Sequence, residues 1–161
     1  MAETVRLEGP SFAAFPVHSD LATLAADFAV VGVPIVTPYV RALPCTAASA
    51  PAAVRRDSQR YTRLSHYDFD FGGPLFANRT VRCVDVGDVV RGVEGFLDYG
   101  RHVTSAVRKI LERGAIPIVL GGDHATTIPV LRGYEGRGPI YLVQIDAHRS
   151  EERRVGKECR L

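Results

Sequence analysis

The order of the apolar segments between residues 28 and 145 constrains the fold of this chain most strongly. The predicted elements are a strand at 28–33, a strand at 81–86, a helix at 99–113, a strand at 116–120, a helix at 126–133 and a strand at 140–145. Strands that alternate with helices form a parallel sheet with right-handed crossovers. The run Ile116, Ile118, Val119 and Leu120 lacks polar alternation, which is typical of a parallel strand covered by helices on both faces. We therefore predict an α/β fold.

The helix at 99–113 has the clearest pattern. Its apolar positions recur at helical spacing and its charged positions lie on the opposite face. The apolar set is Val103, Ala106, Val107, Ile110 and Leu111, and the charged set is Arg101, Arg108, Lys109 and Glu112. Gly114 follows as the expected terminator of the helix.

Two of the predicted strands are followed by a carboxylate and an imidazole. Asp123 and His124 follow the strand at 116–120, and Asp146 and His148 follow the strand at 140–145. The carboxyl ends of parallel strands meet at one edge of a sheet, where ligands bind, so we expect these side chains to converge. Mixed imidazole and carboxylate ligands suit a divalent ion such as Mn²⁺, without excluding Zn²⁺ or Fe²⁺.

The glycine pair before Asp123 permits a second reading. Gly121 and Gly122 let the backbone turn sharply and approach a ligand closely. Such a turn also cradles phosphate in nucleotide-binding folds, but this segment lacks the G-x-G-x-x-G spacing. It also places the negative charge of Asp123 where a phosphate would bind. A metal site is therefore favoured over a phosphate site.

Composition excludes several classes of partner. The chain has 161 residues, of which 46% are hydrophobic and 24% charged, and its formal net charge is +2. No basic stripe indicates nucleic-acid binding, and no apolar run approaches the roughly 20 residues that span a bilayer. The first ten residues resemble neither a secretory signal nor a transit peptide. The three cysteines have no framework or ligand spacing. We expect a cytoplasmic protein.

Several other polar residues permit a functional and a structural interpretation. Arg55 and Arg56 lie on a helix that is predicted to begin near Pro51. They would either contact a substrate or a partner subunit, or lie on a solvated face of the helix. The solvated face is favoured, because most arginine side chains are exposed. Asp85, in an apolar strand, is expected to accept hydrogen bonds near the sheet edge rather than to act in catalysis. The last set, His66, Asp68 and Asp70, lies among aromatic residues and indicates an edge segment rather than metal ligands.

The two strand ends together resemble the first signature motifs of the ureohydrolases, the arginase and agmatinase family. Val119–His124 and Gln144–His148 carry this resemblance, and weaker matches occur at Val31–Pro34, Ala50–Arg55 and Val84–Asp88. The resemblance implies a three-layer α/β/α fold with a parallel sheet. It also implies hydrolysis of a linear guanidino compound to urea and an amine at a centre of two Mn²⁺ ions.

The resemblance also assigns site residues and partners. It implies that His124, Asp146 and His148 are metal ligands and that Asp123 is a partner that orients the site. The segments at 34–39 and 50–55 are closer to agmatinases, which hydrolyse agmatine to putrescine and urea, than to arginases. Alternatives are an arginase, a guanidinobutyrase, a formiminoglutamase, a proclavaminate hydrolase, or a non-catalytic degenerate subunit. The resemblance also implies a homo-oligomer, a trimer or a hexamer, that acts on a small guanidino substrate.

The chain departs from the family pattern after His148. The family continues Asp-Ala-His-x-Asp, but Arg149 and Ser150 follow here, and the later acidic ligand pair is absent. Residues 149–161 resemble a translated sequencing adapter and are expected to be non-native. We therefore predict an N-terminal arm at 1–24 and the N-terminal part of a ureohydrolase domain at 25–148, incomplete at its C-terminus. The parent enzyme is expected to be active and the chain itself inactive.

Overall fold

The computed structural model describes residues 4–37, 46–63, 67–74, 81–91 and 95–145. The elements in chain order are β1 (Val5–Arg6), β2 (Phe28–Val33), α1 (Ala50–Ser58), β3 (Tyr67–Asp68), β4 (Gly73–Pro74), β5 (Cys83–Val89), α2 (Phe96–Glu112), β6 (Ile116–Gly121) and α3 (Thr127–Arg132). Short 3₁₀ helices occupy Phe12–Ala14, Thr46–Ser49, Gln59–Arg63 and His124–Thr126. Within these residues, no helix is both long and apolar enough to cross a membrane.

One sheet with the strand order β1-β5-β2-β6 organises the described residues. β2 is central and runs parallel to both β5 and β6. The connection from β2 to β5 moves to one side of β2, and the connection from β5 to β6 crosses back to the other side. The prediction of a parallel α/β sheet is confirmed for these three strands.

The two longer helices cover opposite faces of the sheet. The buried side chains of α2 cluster with Ala29, Val31 and Val33 of β2. Val30, between them on β2, is level with Asp85 of β5, and Asp85 binds Arg55 of α1. Because successive strand residues point to opposite faces, α1 and α2 lie on opposite sides of the sheet. This is the three-layer α/β/α arrangement that the sequence predicts.

The helix α2 confirms the periodicity analysis. It spans Phe96–Glu112, and Val103, Ala106, Val107 and Ile110 are fully buried against the sheet. Gly114 follows with φ +79, a left-handed conformation that glycine adopts without steric cost. The phenol of Tyr99 donates to the carbonyl of Val89 at 2.9 Å and ties the first turns of α2 to the end of β5.

The N-terminal arm is more regular than the interpretation of its Pro and Gly residues indicates. Val5 and Arg6 form β1, which pairs antiparallel with β5 and makes the sheet mixed. Leu21 and Leu24 are buried in the core. A strand of two residues is too short to show alternation, so periodicity alone does not detect it.

The predicted strand at 140–145 is wrong, because these residues form no strand in the structure. Tyr141 is 94% exposed and Ile145 is 97% exposed. A strand added beside β6 needs helices on both faces to bury its apolar side chains. Among the described residues, only the short 3₁₀ helix His124–Thr126 and the six-residue helix α3 lie between β6 and this segment, and β6 forms the edge of the sheet.

A buried ion cluster joins α1 to β5. The guanidinium of Arg55 is 1% exposed and donates from Nε and Nη2 to the two carboxylate oxygens of Asp85 at 2.8 and 3.0 Å. Its Nη1 donates to Oδ1 of Asp88. Burial acts to lower the pKa of Arg55, but the bonds to Asp85 and Asp88 outweigh it and raise that pKa. The arginine therefore stays charged inside the protein.

A β-bulge makes this cluster possible. Val30 is level with Asp85 and Val31 is level with Gly87, so one residue of β5 is extra. The bulge brings Asp85 and Asp88, three positions apart, onto the same face of the strand. Gly87 adopts φ +89 at this point. On β2, a Cβ at Gly32 would lie 1.7 Å from Oδ1 of Asp88, so only glycine leaves room for the ion pair.

The neighbouring arginines of α1 provide a test of this cluster. Arg55→Met is expected to lower the free energy of unfolding by about 3–5 kcal/mol, because it leaves the buried carboxylate of Asp85 without its counter-ion. Arg56→Met is the matched control, since Arg56 is exposed, and should change stability by less than about 0.5 kcal/mol. Urea denaturation followed by circular dichroism measures both. Equal losses in the two variants would contradict the role of the cluster.

Candidate functional site

The candidate site lies where the chain leaves β2 and β6. These strands pair in register from Phe28 with Ile116 to Val33 with Gly121, so both end at the same level. Backbone bonding continues beyond that level. The N–H of Gly122 donates to the carbonyl of Val33 at 3.0 Å, and the N–H of Asp123 donates to the carbonyl of Ile35 at 2.9 Å. The two exit segments are therefore held together outside the regular sheet.

Gly122 is required for this close approach. A Cβ built at this position would lie 2.0 Å from the carbonyl oxygen of Ile35, a backbone atom that cannot rotate away. The glycine predicted to permit a sharp turn thus serves mainly to let two chain segments meet. The 3₁₀ turn His124–Thr126 begins directly after this contact.

The carboxylate of Asp123 is fully engaged by neighbouring donors. Its Oδ1 accepts from the N–H of Ala125 at 2.9 Å, which caps the 3₁₀ turn. Its Oδ2 accepts from both the N–H and the hydroxyl of Thr37. Partial burial acts to raise the pKa of Asp123, but the bonds from Thr37 and Ala125 outweigh burial, so the pKa lies below its usual value. The charged form is thereby favoured near neutral pH.

The next residue, His124, has the opposite character. Its side chain is exposed, and within the described residues no hydrogen bond reaches its ring. An imidazole that is accessible and uncommitted can bind a metal ion or transfer a proton. The two residues of the predicted pair therefore differ. Both carboxylate oxygens of Asp123 accept hydrogen bonds that stabilise the turn, whereas the His124 ring is accessible to a ligand.

The other two predicted ligands lie outside the described residues. These are Asp146 and His148, and their convergence with His124 stays a prediction. The described residues contain no group of three or more His, Cys, Asp or Glu side chains that is able to hold a metal ion. Of the predicted ligand set, the structure thus places His124 alone.

Other residues with a possible functional reading have structural roles. Arg55 is neither a solvated residue nor a substrate contact, because it is buried and paired with Asp85 and Asp88. The sequence gives no sign of this pairing. Asp85 is fully buried and accepts from Arg55, from the N–H of Phe12 at 2.8 Å and from the N–H of Gly87 at 2.9 Å. Asp68 accepts from backbone N–H groups in its own turn. His66 lies outside the described residues.

Thr37 belongs to the site, and sequence reasoning missed it. It follows β2 by four residues and binds Asp123, which is 86 positions away along the chain. The sequence of residues 34–49 contains Pro34, Pro38 and Pro44 and is typical of a long loop, and long loops in compact domains are often functional. That signal identified a region, but nothing in the sequence pointed to this threonine.

Thr126 is the last residue of the 3₁₀ turn and is buried. It is 7% exposed, and its Oγ1 would lie 3.3 Å from a Cβ built at Gly121. Within the described residues this hydroxyl has no hydrogen-bond partner. Burial of an unpaired hydroxyl costs free energy. The turn that presents His124 therefore contains a destabilising group.

Comparison with known proteins gives one consistent result. A family model for the arginase family matches residues 26–152. The mitochondrial agmatinase of Gallus gallus is 35% identical over 99 residues, which are 61% of this chain and 28% of that protein. The guanidinobutyrase of Pseudomonas aeruginosa is 32% identical over 125 residues, which are 77% of this chain and 37% of that protein. The chain thus spans about a third of the length of these relatives.

A solved structure has the same fold. The crystal structure of a formiminoglutamase from Trypanosoma cruzi with Mn²⁺ superposes with a TM-score of 0.56 at 23% identity. The match covers 77% of this chain and 40% of that one. At this identity the match establishes the fold and does not transfer a substrate.

Two threonines give a test of the unpaired hydroxyl. Thr126→Val is expected to raise the free energy of unfolding by about 1 kcal/mol, because it replaces a buried hydroxyl that lacks a partner with a methyl group of similar size. Thr104→Val should lower it by about 1 kcal/mol, since the Thr104 hydroxyl donates to the carbonyls of Gly100 and Pro129 at 3.0 and 2.9 Å. Urea denaturation distinguishes the two signs. A loss of stability in Thr126→Val would mean that its hydroxyl has a partner.

Proposed function

This chain belongs to the arginase family, and we propose that the enzyme containing it hydrolyses a linear guanidino compound to urea and an amine. The observation that carries the proposal is the turn after β6, where His124 is exposed and uncommitted while Asp123 is fully bonded by Thr37 and Ala125. A turn built in this way presents one imidazole at the carboxyl edge of the sheet, where α/β proteins bind their ligands.

The donor chemistry fits a manganese centre. We propose His124, Asp146 and His148 as ligands, because imidazole and carboxylate donors together suit Mn²⁺. When bound, a pair of such ions supplies the Lewis acidity that makes water nucleophilic at neutral pH. Asp123 is proposed as an orienting residue rather than a ligand or a base, since both of its oxygens already accept hydrogen bonds. The formiminoglutamase with Mn²⁺ and the same fold supports this choice of metal.

Agmatine is the proposed substrate. The agmatinase of Gallus gallus is 35% identical, and the segments at 34–39 and 50–55 resemble agmatinases. The second candidate is 4-guanidinobutyrate, because the guanidinobutyrase match covers more of this chain, 77%. The two compounds share the guanidino group and differ in the charge at the far end, an ammonium in one and a carboxylate in the other. Residues that contact that far end therefore decide between them.

We further propose that the complete enzyme is a homo-oligomer, a trimer or a hexamer. This proposal rests on the family resemblance. Size-exclusion chromatography with light scattering of the protein expressed from the complete coding sequence measures the oligomeric state directly.

The role of His124 can be tested in the protein expressed from the complete coding sequence. His124→Ala is expected to lower urea release from agmatine with Mn²⁺ by more than about 100-fold, because loss of even an outer partner of a ligand costs about 10–100-fold. His18→Ala is the control, because His18 lies far from the candidate site. The preceding residue, Val17, bridges to β5 on the side of the sheet away from β6. The His18→Ala variant should retain activity. Full activity in His124→Ala would exclude the proposed ligand.

The substrate is tested by comparing agmatine, arginine and 4-guanidinobutyrate under the same conditions. We expect kcat/KM for agmatine to exceed the values for the other two compounds by at least about tenfold. A site that pairs a substrate charge rejects analogues of the opposite charge, because like charges and unpaired buried groups are costly. A preference for 4-guanidinobutyrate would identify the enzyme as a guanidinobutyrase. Absence of urea release from all three would contradict the proposed function.

A further inference from the structure

We propose that Thr37 is a positioning residue: it binds the Asp123 carboxylate and through it fixes the turn that presents His124. The inference rests on the proposed function, because it takes His124 to be a metal ligand. It adds a residue from the segment after β2 to a site that the sequence assigns only to the segments after β6 and after residues 140–145.

Thr37 contacts Asp123 through both its backbone and its side chain. Both the N–H and the hydroxyl of Thr37 donate to the same oxygen, Oδ2 of Asp123. The other oxygen, Oδ1, accepts from the N–H of Ala125. Hydrogen bonds to a charged carboxylate are stronger than those between neutral groups. Asp123 therefore links the segment after β2 to the residue that follows His124.

The contact also completes a backbone connection. Gly122 and Asp123 donate their N–H groups to the carbonyls of Val33 and Ile35. Thr37 returns two bonds in the opposite direction, from the β2 side to Asp123. Donors and acceptors on both segments are thereby satisfied, which fixes their separation and their register. The turn is held from two sides rather than from one.

His124 depends on this support because it has little of its own. Within the described residues no hydrogen bond orients its ring, and the side chain is exposed. Its direction is therefore set by the backbone on either side, Asp123 with φ −100 and ψ −176 and the 3₁₀ turn that begins at His124. The Asp123 carboxylate stabilises both of these. Thr37 acts on His124 through Asp123 and has no contact with the substrate in this proposal.

The chain offers a matched control in Thr23. Its hydroxyl also donates to an aspartate oxygen, Oδ2 of Asp20, at 2.9 Å. That bond spans three residues in an exposed turn, so it joins no distant segments. Thr23→Val removes the same chemical bond as Thr37→Val. A difference in effect between Thr37→Val and Thr23→Val is therefore due to where the hydrogen bond lies in the fold and not to the type of bond.

The experiment uses NMR on the 161-residue chain, first without metal. In Thr37→Val and Thr37→Ala, we expect the Ala125 amide to exchange about tenfold faster, since one charge-assisted hydrogen bond to Asp123 is lost. The side-chain couplings of His124 should move toward rotamer-averaged values. Thr37→Ser keeps the hydroxyl and should restore both readouts, and Thr23→Val should leave both unchanged. A simple loss of stability would not be repaired selectively at His124 by serine.

MnCl₂ is then titrated while paramagnetic broadening of the His124 ring signals is followed. We expect Thr37→Val to need about tenfold more Mn²⁺ for half-broadening, because partners of a metal ligand typically contribute about 10–100-fold to affinity. Thr37→Ser and Thr23→Val should need the same Mn²⁺ concentration for half-broadening as the unsubstituted 161-residue chain. If neither the unsubstituted 161-residue chain nor the protein expressed from the complete coding sequence shows broadening at His124, the proposed metal role fails, whereas the metal-free measurements still decide the role of Thr37.

Two outcomes would overturn the inference. In the first, Thr37→Val and Thr37→Ala leave the Ala125 exchange rate and the His124 couplings as they are in the parent chain. In the second, both variants lose their circular dichroism signal, so that the bond supports the whole fold rather than the turn. Recovery by serine together with an unchanged Thr23→Val spectrum supports it.

Discussion

The structure depends first on the buried pairing of Arg55 with Asp85. One carboxylate receives two guanidinium bonds and the backbone N–H groups of Phe12 and Gly87. It therefore ties together the N-terminal arm, α1 and the bulge in β5. Buried ion pairs add little net stability against an apolar alternative, but removal of one partner is costly. The value of this pair lies in specifying how three segments meet.

The strand β2 connects that pairing to the candidate site. Gly32 is level with Asp88 on one side and with Leu120 on the other, and it leaves room for the Asp88 carboxylate. One residue further along β2, Val33 is level with Gly121, and there the exit segments meet through Gly122. Both approaches need a missing Cβ. The strand β2 therefore fixes the position of the ion cluster relative to the turn that contains His124.

Sequence patterns predicted those parts of the fold in which local periodicity and burial agree. The helix α2 and the strands β2 and β5 were predicted because their apolar residues face a core that the described residues build. The strand β6 was predicted from an equally apolar run, but Ile116 and Ile118 are 55% and 39% exposed, so the expectation that this run is buried is wrong for those two residues. The strand predicted at 140–145 is wrong although the segment is apolar, because none of the described residues covers its side chains. The pairing of Arg55 was unpredictable, since a buried arginine is identified only by partners that a bulge brings onto one face. Thr37 was missed because its partner Asp123 is 86 positions away along the chain.

The site illustrates why adjacent residues of a motif need not share a role. Asp123 and His124 are both chemically suited to bind a metal, and a motif alone does not separate them. The backbone decides, because the 3₁₀ turn directs the aspartate back toward Thr37 and Ala125 and leaves the imidazole in solvent. An aspartate that accepts hydrogen bonds on both oxygens is held against Thr37 and Ala125, and a metal ion would compete with those donors. Asp123 therefore stabilises the turn, and His124 is left accessible to a ligand. This difference depends on the segment after β2, which supplies Thr37, as much as on the motif itself.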